Sequence, residues 1–519
     1  MAVPRVDVDP PLPPRRLVAV EPDPPEQPPP PKAVIPGARH FVRTFLKFGI
    51  AQPLTWASSA ALAIMLPHFL GASNLGKLGF AFGLTLITGQ LANLGVSVYL
   101  TKEVARAPER AGTLTGSALA MRVPLSLGAA LVAITIVSLG SHSDVTRTVV
   151  LVLSVGILLD AVRAVVQGTL QGLHRMTTLA AFPAITGAVY AAGAAFALTR
   201  GAGVVAVAAA YVLGQASGLT VSVVALWRTH SHLAGPSWRL CRMLLIGGLP
   251  FFVWQAALAV YGQVDSVILS YLTNDAVVGW YVAAYRIVTL PIFVPTVLMT
   301  VAFPALSAAA RDSQRFNEIV RRAVQVVLLT TTPMALGIML LPDRIVHALH
   351  WSDSFQHSVL PIVLLAPSFP LVAVDMMIGT ALTARDRQKQ WALTGVGAAV
   401  LNPTLNLLLI PWTQLHLGNG AIGAAAVTTV TELFMMVVGL ILMPRGVLGR
   451  ETAVWALRCL GACAVMAVVV LLLRGATIAV PVVVGALTYV AASLSFGTLS
   501  LSDVRAALRH VVSRAEVAT

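Results

Sequence analysis

Six ionisable residues lie inside long apolar stretches of a 519-residue chain in which only 11% of residues are charged. They are Asp160, Arg163, Asp265, Arg286, Asp375 and Glu432. A charged side chain at the centre of a membrane costs roughly 2.5–3.5 kcal/mol on insertion scales, so the few that occur there are candidates for a functional site. Arginine suits phosphate groups because its planar fork binds two oxygens, and a carboxylate can bind a cation or carry a proton.

Four of these residues are spaced so that they could form two ion pairs. Asp160 and Arg163 are three residues apart and share one face of a helix. Asp265 and Arg286 lie on either side of a short loop, so we expect them at similar depths in adjacent helices. Two interpretations remain open: the pairs fix helix packing, or an arginine binds an anionic substrate while a carboxylate takes part in ion coupling.

Asp375 and Glu432 have no obvious basic partner in their own helices. Either could be protonated when buried, and either could be a cation-coupling site. The alternatives are a polar contact between helices or exposure to a water-filled cavity. Arg122 lies near one end of its apolar stretch, and we expect its long side chain to reach the membrane surface.

The elements that carry these residues are predicted to be membrane-spanning helices. The chain is 57% hydrophobic with a mean hydropathy of +0.82, whereas about a quarter of the residues of a soluble protein are charged. A span needs about 20 apolar residues. We predict fourteen spans, at 44–70, 78–100, 117–140, 146–170, 178–199, 203–227, 243–271, 277–302, 322–342, 358–383, 391–413, 420–443, 452–473 and 476–499.

The distribution of positive charge agrees with this topology. If the N-terminus is cytoplasmic, 27 of the 35 Lys and Arg residues fall in the tails, the cytoplasmic loops and the adjoining span ends, five in the outer loops and adjoining span ends, and three elsewhere within spans. Such a bias orients membrane proteins, so we predict that both termini are cytoplasmic and that the protein lies in the inner (plasma) membrane. The net charge of +14 then reflects topology, and it does not indicate nucleic-acid binding.

The first twelve spans contain a weak internal repeat. Matched pairs are Gly49 and Gly247, Trp56 and Trp254, Gly76 and Gly279, Gly168 and Gly379, and Gly201 and Gly418. Their offset grows from 198 to 217 residues, as expected when loops accumulate insertions. Since each half has six spans, the halves are parallel repeats. The predicted parts are a disordered Pro-rich cytoplasmic tail (1–38), two six-helix lobes (39–235 and 236–447), an additional helix pair (448–500) and a cytoplasmic tail (501–519).

Short motifs occur around several of the ionisable residues. They are QVDSVILSY (263–271), VGWYVAAYR (278–286), FPALS (303–307), LNPTLN (401–406), IP (410–411), GAIGAA (420–425) and TE (431–432). Together they resemble the polysaccharide-transporter family, of the O-antigen flippase type, within the MATE-like MOP superfamily. The likeness covers about residues 41–445.

The resemblance implies a MATE-like all-α fold, in which two lobes surround a central cavity. It also implies the flipping of an undecaprenyl-type lipid-linked oligosaccharide, with the lipid bilayer and a polysaccharide polymerase or assembly protein as further partners. Coupling by H⁺ or Na⁺ is possible on this basis, and no cofactor is expected. The alternatives are another MOP-type exporter, for a cationic drug or a lipid II-like substrate, and a non-transporting membrane scaffold.

Enzyme motifs are absent from the sequence, which has no Walker A, HExxH or GxSxG pattern. The longest outer loop, 343–357, contains His347, His350, Asp353 and His357, and we expect a solvated loop there rather than a metal site. The three cysteines form neither a metal-type pair nor a disulfide framework. We therefore predict a transporter and not an enzyme.

Overall fold

The computed structural model describes residues 38–229, 233–444, 446–447 and 449–499. The two tails predicted from the sequence, apart from Ala38, lie outside these described residues. Within them the chain is α-helical and contains no β-strand. A helix satisfies its own backbone N–H and C=O groups, which is what a chain inside lipid requires.

Seventeen α-helices follow one another along the described residues. They are α1 (Ala38–Leu91), α2 (Val96–Arg106), α3 (Ala111–Leu139), α4 (Asp144–Gly172), α5 (Met176–Thr199), α6 (Gly203–Trp227), α7 (Trp238–Leu272), α8 (Asp275–Thr289), α9 (Phe293–Ala308), α10 (Ser313–Leu340), α11 (Pro342–Ala348), α12 (Val359–Leu365), α13 (Ser368–Ala384), α14 (Gln388–Leu417), α15 (Gly420–Leu442), α16 (Arg450–Leu472) and α17 (Ala479–Ser495).

Each predicted span overlaps at least one of these helices, but the count of fourteen is not confirmed. In the described part of the chain, eleven helices are long and apolar enough to cross a membrane. The number becomes twelve if residues 353–365 and α13, which meet at an angle of 43°, form one span. The difference arises because α1 contains the first predicted span together with most of the second, and because α17 has only 17 residues.

Glycine and proline set the breaks that the apolar pattern did not predict. Within α1, Gly71 has φ 69° and ψ 173°, a conformation that glycine adopts without a Cβ clash. A turn ending at Gly95, with φ 69°, separates α1 from α2 and divides the predicted second span. The predicted eighth span is divided between α8 and α9 by a 3₁₀ turn around Pro291, which has no N–H to donate.

The apolar surface of the helices shows which environment they require. No more than half of any spanning segment's most apolar window is buried inside the protein. Large apolar side chains such as Leu139 (85% exposed), Leu415 (81%) and Leu472 (79%) project outward. Because soluble monomers do not expose apolar surface on this scale, these faces contact lipid, and the protein is a multi-pass membrane protein.

Three groups of helices pack together within the described residues. Helices α3 to α6 pack against one another, as do α10 and α13 to α15, while α16 and α17 pack together and against α10. Cys459 and Cys463 are buried with Tyr489 in the α10–α16–α17 interface, where they serve as small apolar side chains. The exact lobe boundaries stay predictions.

Candidate functional site

A cavity of about 380 Å³ lies between α1, α5, α6, α7 and α8. Much of its polar wall comes from Tyr190, Tyr211, Gln263, Tyr281, Tyr285 and Arg286. Tyrosine offers both an apolar ring face and a hydroxyl group. The wall can therefore bind a ligand that has apolar ring faces as well as hydroxyl and anionic groups.

Arg286 is the cation of this wall. Within the described chain its guanidinium has no ion-pair partner, and its Nε is buried without a hydrogen bond. Tyr190 lies close enough to interact with it electrostatically. Local sequence explains its position: Asn274 caps α8 by accepting hydrogen bonds from the N–H groups of Ala276 and Val277, and Tyr281, Tyr285 and Arg286 then follow on one side of that helix.

Rings from α1, α5 and α6 form another part of the wall. The Tyr211 ring meets Phe82 edge-on at a centroid distance of 4.8 Å and Tyr190 at 5.4 Å. The Nε2 of Gln215 donates a hydrogen bond to the Tyr211 hydroxyl at 3.0 Å. The sequence analysis missed these tyrosines, although their presence in apolar stretches was a signal, since a tyrosine buried in lipid needs a hydrogen-bond partner.

Asp265 does not pair with Arg286. Its Oδ2 accepts hydrogen bonds from the Tyr281 hydroxyl (2.6 Å) and from Thr428 Oγ1 (3.1 Å), and its Oδ1 accepts one from Asn406 Nδ2 (2.5 Å). Asp265 is 4% exposed and also forms part of the cavity wall. The expected ion pair between Asp265 and Arg286 does not form, because neutral donors from α8, α14 and α15 already provide the hydrogen bonds of the carboxylate.

This arrangement, which we call the Asp265 network, also includes Asn402. Asn406 Nδ2 donates to Asn402 Oδ1 at 2.8 Å, and both asparagines are fully buried. Asn406 Oδ1 and Asn402 Nδ2 have no partner among the described residues. A carboxylate, amide oxygens and hydroxyls are hard oxygen ligands, so the network offers a set of groups suited to a small cation or a proton. Two asparagines four residues apart in an apolar helix were the sequence signal for it.

The predicted pair of Asp160 and Arg163 is present on α4. The Nη2 of Arg163 donates to Asp160 Oδ1, and its Nη1 donates to Gln167 Oε1 at 3.1 Å. The prediction that Arg122 reaches the membrane surface is wrong, because Arg122 is only 2% exposed. It lies inside the helix packing, where Asp160 attracts it electrostatically.

Asp375 and Glu432 are buried apart from the cavity. They are 5% and 7% exposed, and neither belongs to the cavity wall. Both carboxylate oxygens of Asp375 lack a hydrogen-bond partner in the described part of the chain. The structure therefore does not bring either residue to Arg286, and a coupling role for them stays a prediction.

The segment 343–357 is not the solvated loop that we expected. Part of it forms α11, Phe355 is fully buried and Trp351 is 6% exposed. The indole N–H of Trp351 donates to the backbone oxygen of Ile64 at 3.1 Å, and His68 Nδ1 donates to the backbone oxygen of His350 at 2.6 Å. The segment is folded because its aromatic residues pack on α1. In the described chain no group of three or more His, Cys, Asp or Glu side chains could hold a metal ion.

Glycines bring the two lobes into backbone contact at one end of the cavity, which we call the first crossing. A Cβ on Gly76 would stand 1.7 Å from the backbone oxygen of Asp275, and a Cβ on Gly279 would stand 1.9 Å from that of Ala72. Gly76 and Gly279 are a matched pair of the sequence repeat, so equivalent residues of the two lobes meet here. Next to it the His142 ring stacks on Phe80 at 4.4 Å, and burial lowers the pKa of His142.

A second crossing lies between α7 and the turn that follows α1. A Cβ on Gly95 would stand 2.0 Å from the backbone oxygen of Gly248, and a Cβ on Gly248 would stand 2.5 Å from that of Leu94. Beside it the Nε2 of Gln90 and the Nδ2 of Asn93 donate to Gln255 Oε1 at 3.0 and 3.2 Å. On α1 the cavity residues follow Gly76 and precede Gly95, and on α7 they follow Gly248 and precede Asp275, so the lobes touch on both sides of this part of the cavity.

Comparison with known proteins identifies this arrangement. Residues 59–310 match the profile of a family described as polysaccharide biosynthesis protein. This match covers just under half of the chain, and it makes the chain similar to proteins of that family. The resemblance found in the motifs is thereby confirmed, and so is a MATE-like helical fold.

The proteins that this chain resembles include a probable flippase and solved membrane transporters. A probable flippase, AglR of Haloferax volcanii, is 27% identical over 192 residues, which cover 36% of this chain and 39% of that relative. A lipid II flippase, MurJ, in an inward closed conformation has the same fold, with a TM-score of 0.72 and 17% identity over 86% of this chain and 98% of its own.

A second solved structure extends the fold comparison. An inward-facing multidrug resistance MATE family transporter of the MOP superfamily gives a TM-score of 0.60 and 17% identity, covering 77% of this chain and 97% of its own. The protein therefore has the fold of these membrane transporters.

Proposed function

We propose that the protein flips a lipid-linked oligosaccharide, carried on a polyprenyl diphosphate, across the inner membrane for the synthesis of cell-surface polysaccharide. The observation that carries this proposal is the unpaired Arg286 in a cavity lined by tyrosines. A guanidinium with free donors binds the diphosphate, because a planar fork matches two phosphate oxygens. The tyrosines contact the sugar rings and hydroxyls.

The size of the cavity supports the binding of the substrate headgroup. A volume of about 380 Å³ lies within the range of ordinary small-molecule sites, roughly 300–1,000 Å³. The polyprenyl chain stays in the bilayer, because moving it into water would cost free energy for every methylene group exposed. The family description and the flippase among the relatives favour the same substrate class.

We assign ion coupling to the Asp265 network, with H⁺ or Na⁺ as the coupling ion. The network joins α7 and α8 to α14 and α15 and also borders the cavity. A cation or proton bound there changes hydrogen bonds on four helices at once, and it can therefore bias the arrangement of the lobes. Both termini are cytoplasmic in this proposal.

The experiment that tests the proposal follows the sidedness of the lipid-linked sugar. A strain lacking the protein should accumulate lipid-linked oligosaccharide that a sugar-cleaving enzyme reaches in inside-out vesicles but not in right-side-out vesicles. The wild-type gene should restore outward exposure, as should Arg228→Gln, which removes an exposed arginine outside the cavity. Unchanged exposure in the deletion strain overturns the proposal.

The second candidate function is export of a cationic drug or a lipid II-like molecule by the same fold. It is favoured if the deletion leaves the oligosaccharide outside but makes cells sensitive to cationic dyes. A non-transporting scaffold is favoured if the purified protein moves no substrate in liposomes and an inactive variant still supports its partners.

A further inference from the structure

A second concave site lies between α10 and α16, away from the transport cavity. It encloses about 470 Å³ and is open to the outside. Its wall consists of Gln325, Arg450, Glu451, Val454, Trp455 and Arg458. The function proposed above uses none of these residues, and we refer to the site as the α10–α16 groove.

The groove keeps a net positive charge even when the ion pair of its glutamate is taken into account. Arg321 Nη1 lies 3.1 Å from Glu451 Oε2, so the acidic residue in the wall is neutralised. Arg450 and Arg458 have no ion pair or hydrogen bond from their side chains to any described residue. Arg450 is the first residue of α16, the helix end at which a cation is disfavoured by the helix dipole. The local fold therefore does not explain why two free guanidinium groups line one groove.

The depth of Arg458 favours a lipid ligand over a soluble one. Arg458 follows Arg450 by eight residues, about 12 Å along the helix. Leu457 and Leu460, at the same level of α16, are 67% and 54% exposed, so the helix contacts lipid at this depth. Helical side chains lean toward the N-terminus of their helix, which directs the Arg458 guanidinium back toward the membrane surface, where lipid phosphates are the abundant anions.

Two further wall residues fit the boundary between headgroups and acyl chains. Trp455 donates its indole N–H to the backbone oxygen of Thr498 at 3.3 Å, and tryptophan is enriched at this depth of membrane proteins. Val454 lies between the two arginines on the same helix face and is 40% exposed. An acyl chain can therefore contact Val454 while the headgroup lies between the arginines.

We propose that the α10–α16 groove binds the phosphate group of an anionic phospholipid from the leaflet at which α16 begins. Basic pockets between membrane helices bind such headgroups. The lipid bridges α10, which packs in the second lobe, and α16 of the additional helix pair. The other end of these helices has its own link, in which Arg474 Nη2 lies 2.7 Å from Asp343 Oδ1. A bound lipid therefore supplements the ion pairs that attach the additional helix pair.

The test measures lipid binding to the purified full-length protein in detergent after its native lipids are removed. Native mass spectrometry follows titration with dioleoyl phosphatidylglycerol, with dioleoyl phosphatidylcholine as the neutral lipid. The Arg450→Gln/Arg458→Gln double variant should bind phosphatidylglycerol about 30-fold more weakly, since each arginine near the surface contributes about fivefold. The Arg228→Gln/Arg239→Gln control removes two exposed arginines outside the groove and should bind as the wild type does.

Three results would overturn the site. Unchanged phosphatidylglycerol binding by the double variant shows that lipid binds elsewhere. Equal binding of phosphatidylcholine shows general lipid contact, and displacement of the lipid by millimolar inorganic phosphate identifies a site for a free anion. The Arg450→Lys/Arg458→Lys variant keeps both charges and should retain binding of phosphatidylglycerol. If the Gln variant does not fold, this second variant still tests the site.

Discussion

Arg286 is available to a substrate because Asp265 is occupied by neutral donors. Tyr281, Thr428 and Asn406 all donate to that carboxylate, so its hydrogen bonds are provided without a cation. A buried guanidinium without a partner costs free energy, and an anionic ligand removes that cost on binding. The charge at this position is therefore better explained by ligand binding than by helix packing.

Replacing Arg286 with glutamine should impair transport more than it impairs folding. A hydrogen bond to a charged group contributes about 1.5–3 kcal/mol, so we expect substrate affinity to fall by about 10- to 100-fold. Flipping of a labelled polyprenyl diphosphate sugar in proteoliposomes measures the effect. Arg286→Lys should recover part of the activity and Arg228→Gln all of it. Wild-type flipping by a folded Arg286→Gln protein would remove Arg286 from the site.

Asp265→Asn should uncouple transport from an ion gradient. Asparagine keeps the shape of the side chain but removes its charge, so a cation or proton no longer binds the Asp265 network in the same way. Flipping in proteoliposomes should lose its response to an imposed H⁺ or Na⁺ gradient. Asp375→Asn and Glu432→Gln, which change buried carboxylates outside the cavity wall, are the matched comparisons. If one of them loses the response while Asp265→Asn keeps it, the coupling site lies there instead.

At the scale of helices, glycine determines where the two lobes touch. Gly76 and Gly279 lie against the backbone of the opposite lobe at one end of the cavity, and Gly95 and Gly248 do so at the other. Close backbone approach through small residues is a common way to pack membrane helices. The helices can separate at these van der Waals contacts without breaking an ion pair. Such contacts suit helices that must move apart to admit a substrate.

Gly76→Ala should separate the lobes at the first crossing. The new Cβ would meet backbone atoms of Asp275 and Gly279 within 2.9 Å, and backbone cannot turn aside as a side chain can. Overpacking of this kind costs about 1–3 kcal/mol, so Tm should fall by several degrees. Gly128→Ala is the control, because nothing lies within 4 Å of its Cβ position and alanine favours the helix. Equal Tm and flipping rates for both variants would refute the contact.

For the whole molecule, the apolar outer surface requires a bilayer, while the orientation in it depends on the charges of the loops. The helices expose leucines over much of their length, and most Lys and Arg residues fall on the side predicted to be cytoplasmic. An even number of spans puts the two termini on the same side. The helix count matters here, since one span more or fewer would reverse every later loop.

Reporter fusions decide the orientation. Green fluorescent protein fused to either terminus should fluoresce, and alkaline phosphatase fused at either terminus should be inactive, if both ends are cytoplasmic. Phosphatase inserted at exposed Ser141, between α3 and α4, should be active because that turn is predicted to face outward. An active phosphatase at one terminus only would mean an odd number of spans.

The sequence was sufficient to place apolar segments that each overlap a helix, because a membrane span must be long and apolar, and to pair Asp160 with Arg163, because both lie on one turn of one helix. It was also sufficient to match Gly76 with Gly279. The sequence could not show that these two glycines touch, that Asn402, Asn406 and Thr428 surround Asp265, or that Arg286 is left unpaired and Arg122 buried. Those contacts join residues up to 203 positions apart, so the folding of the helices against one another decides them, and no local pattern records that packing.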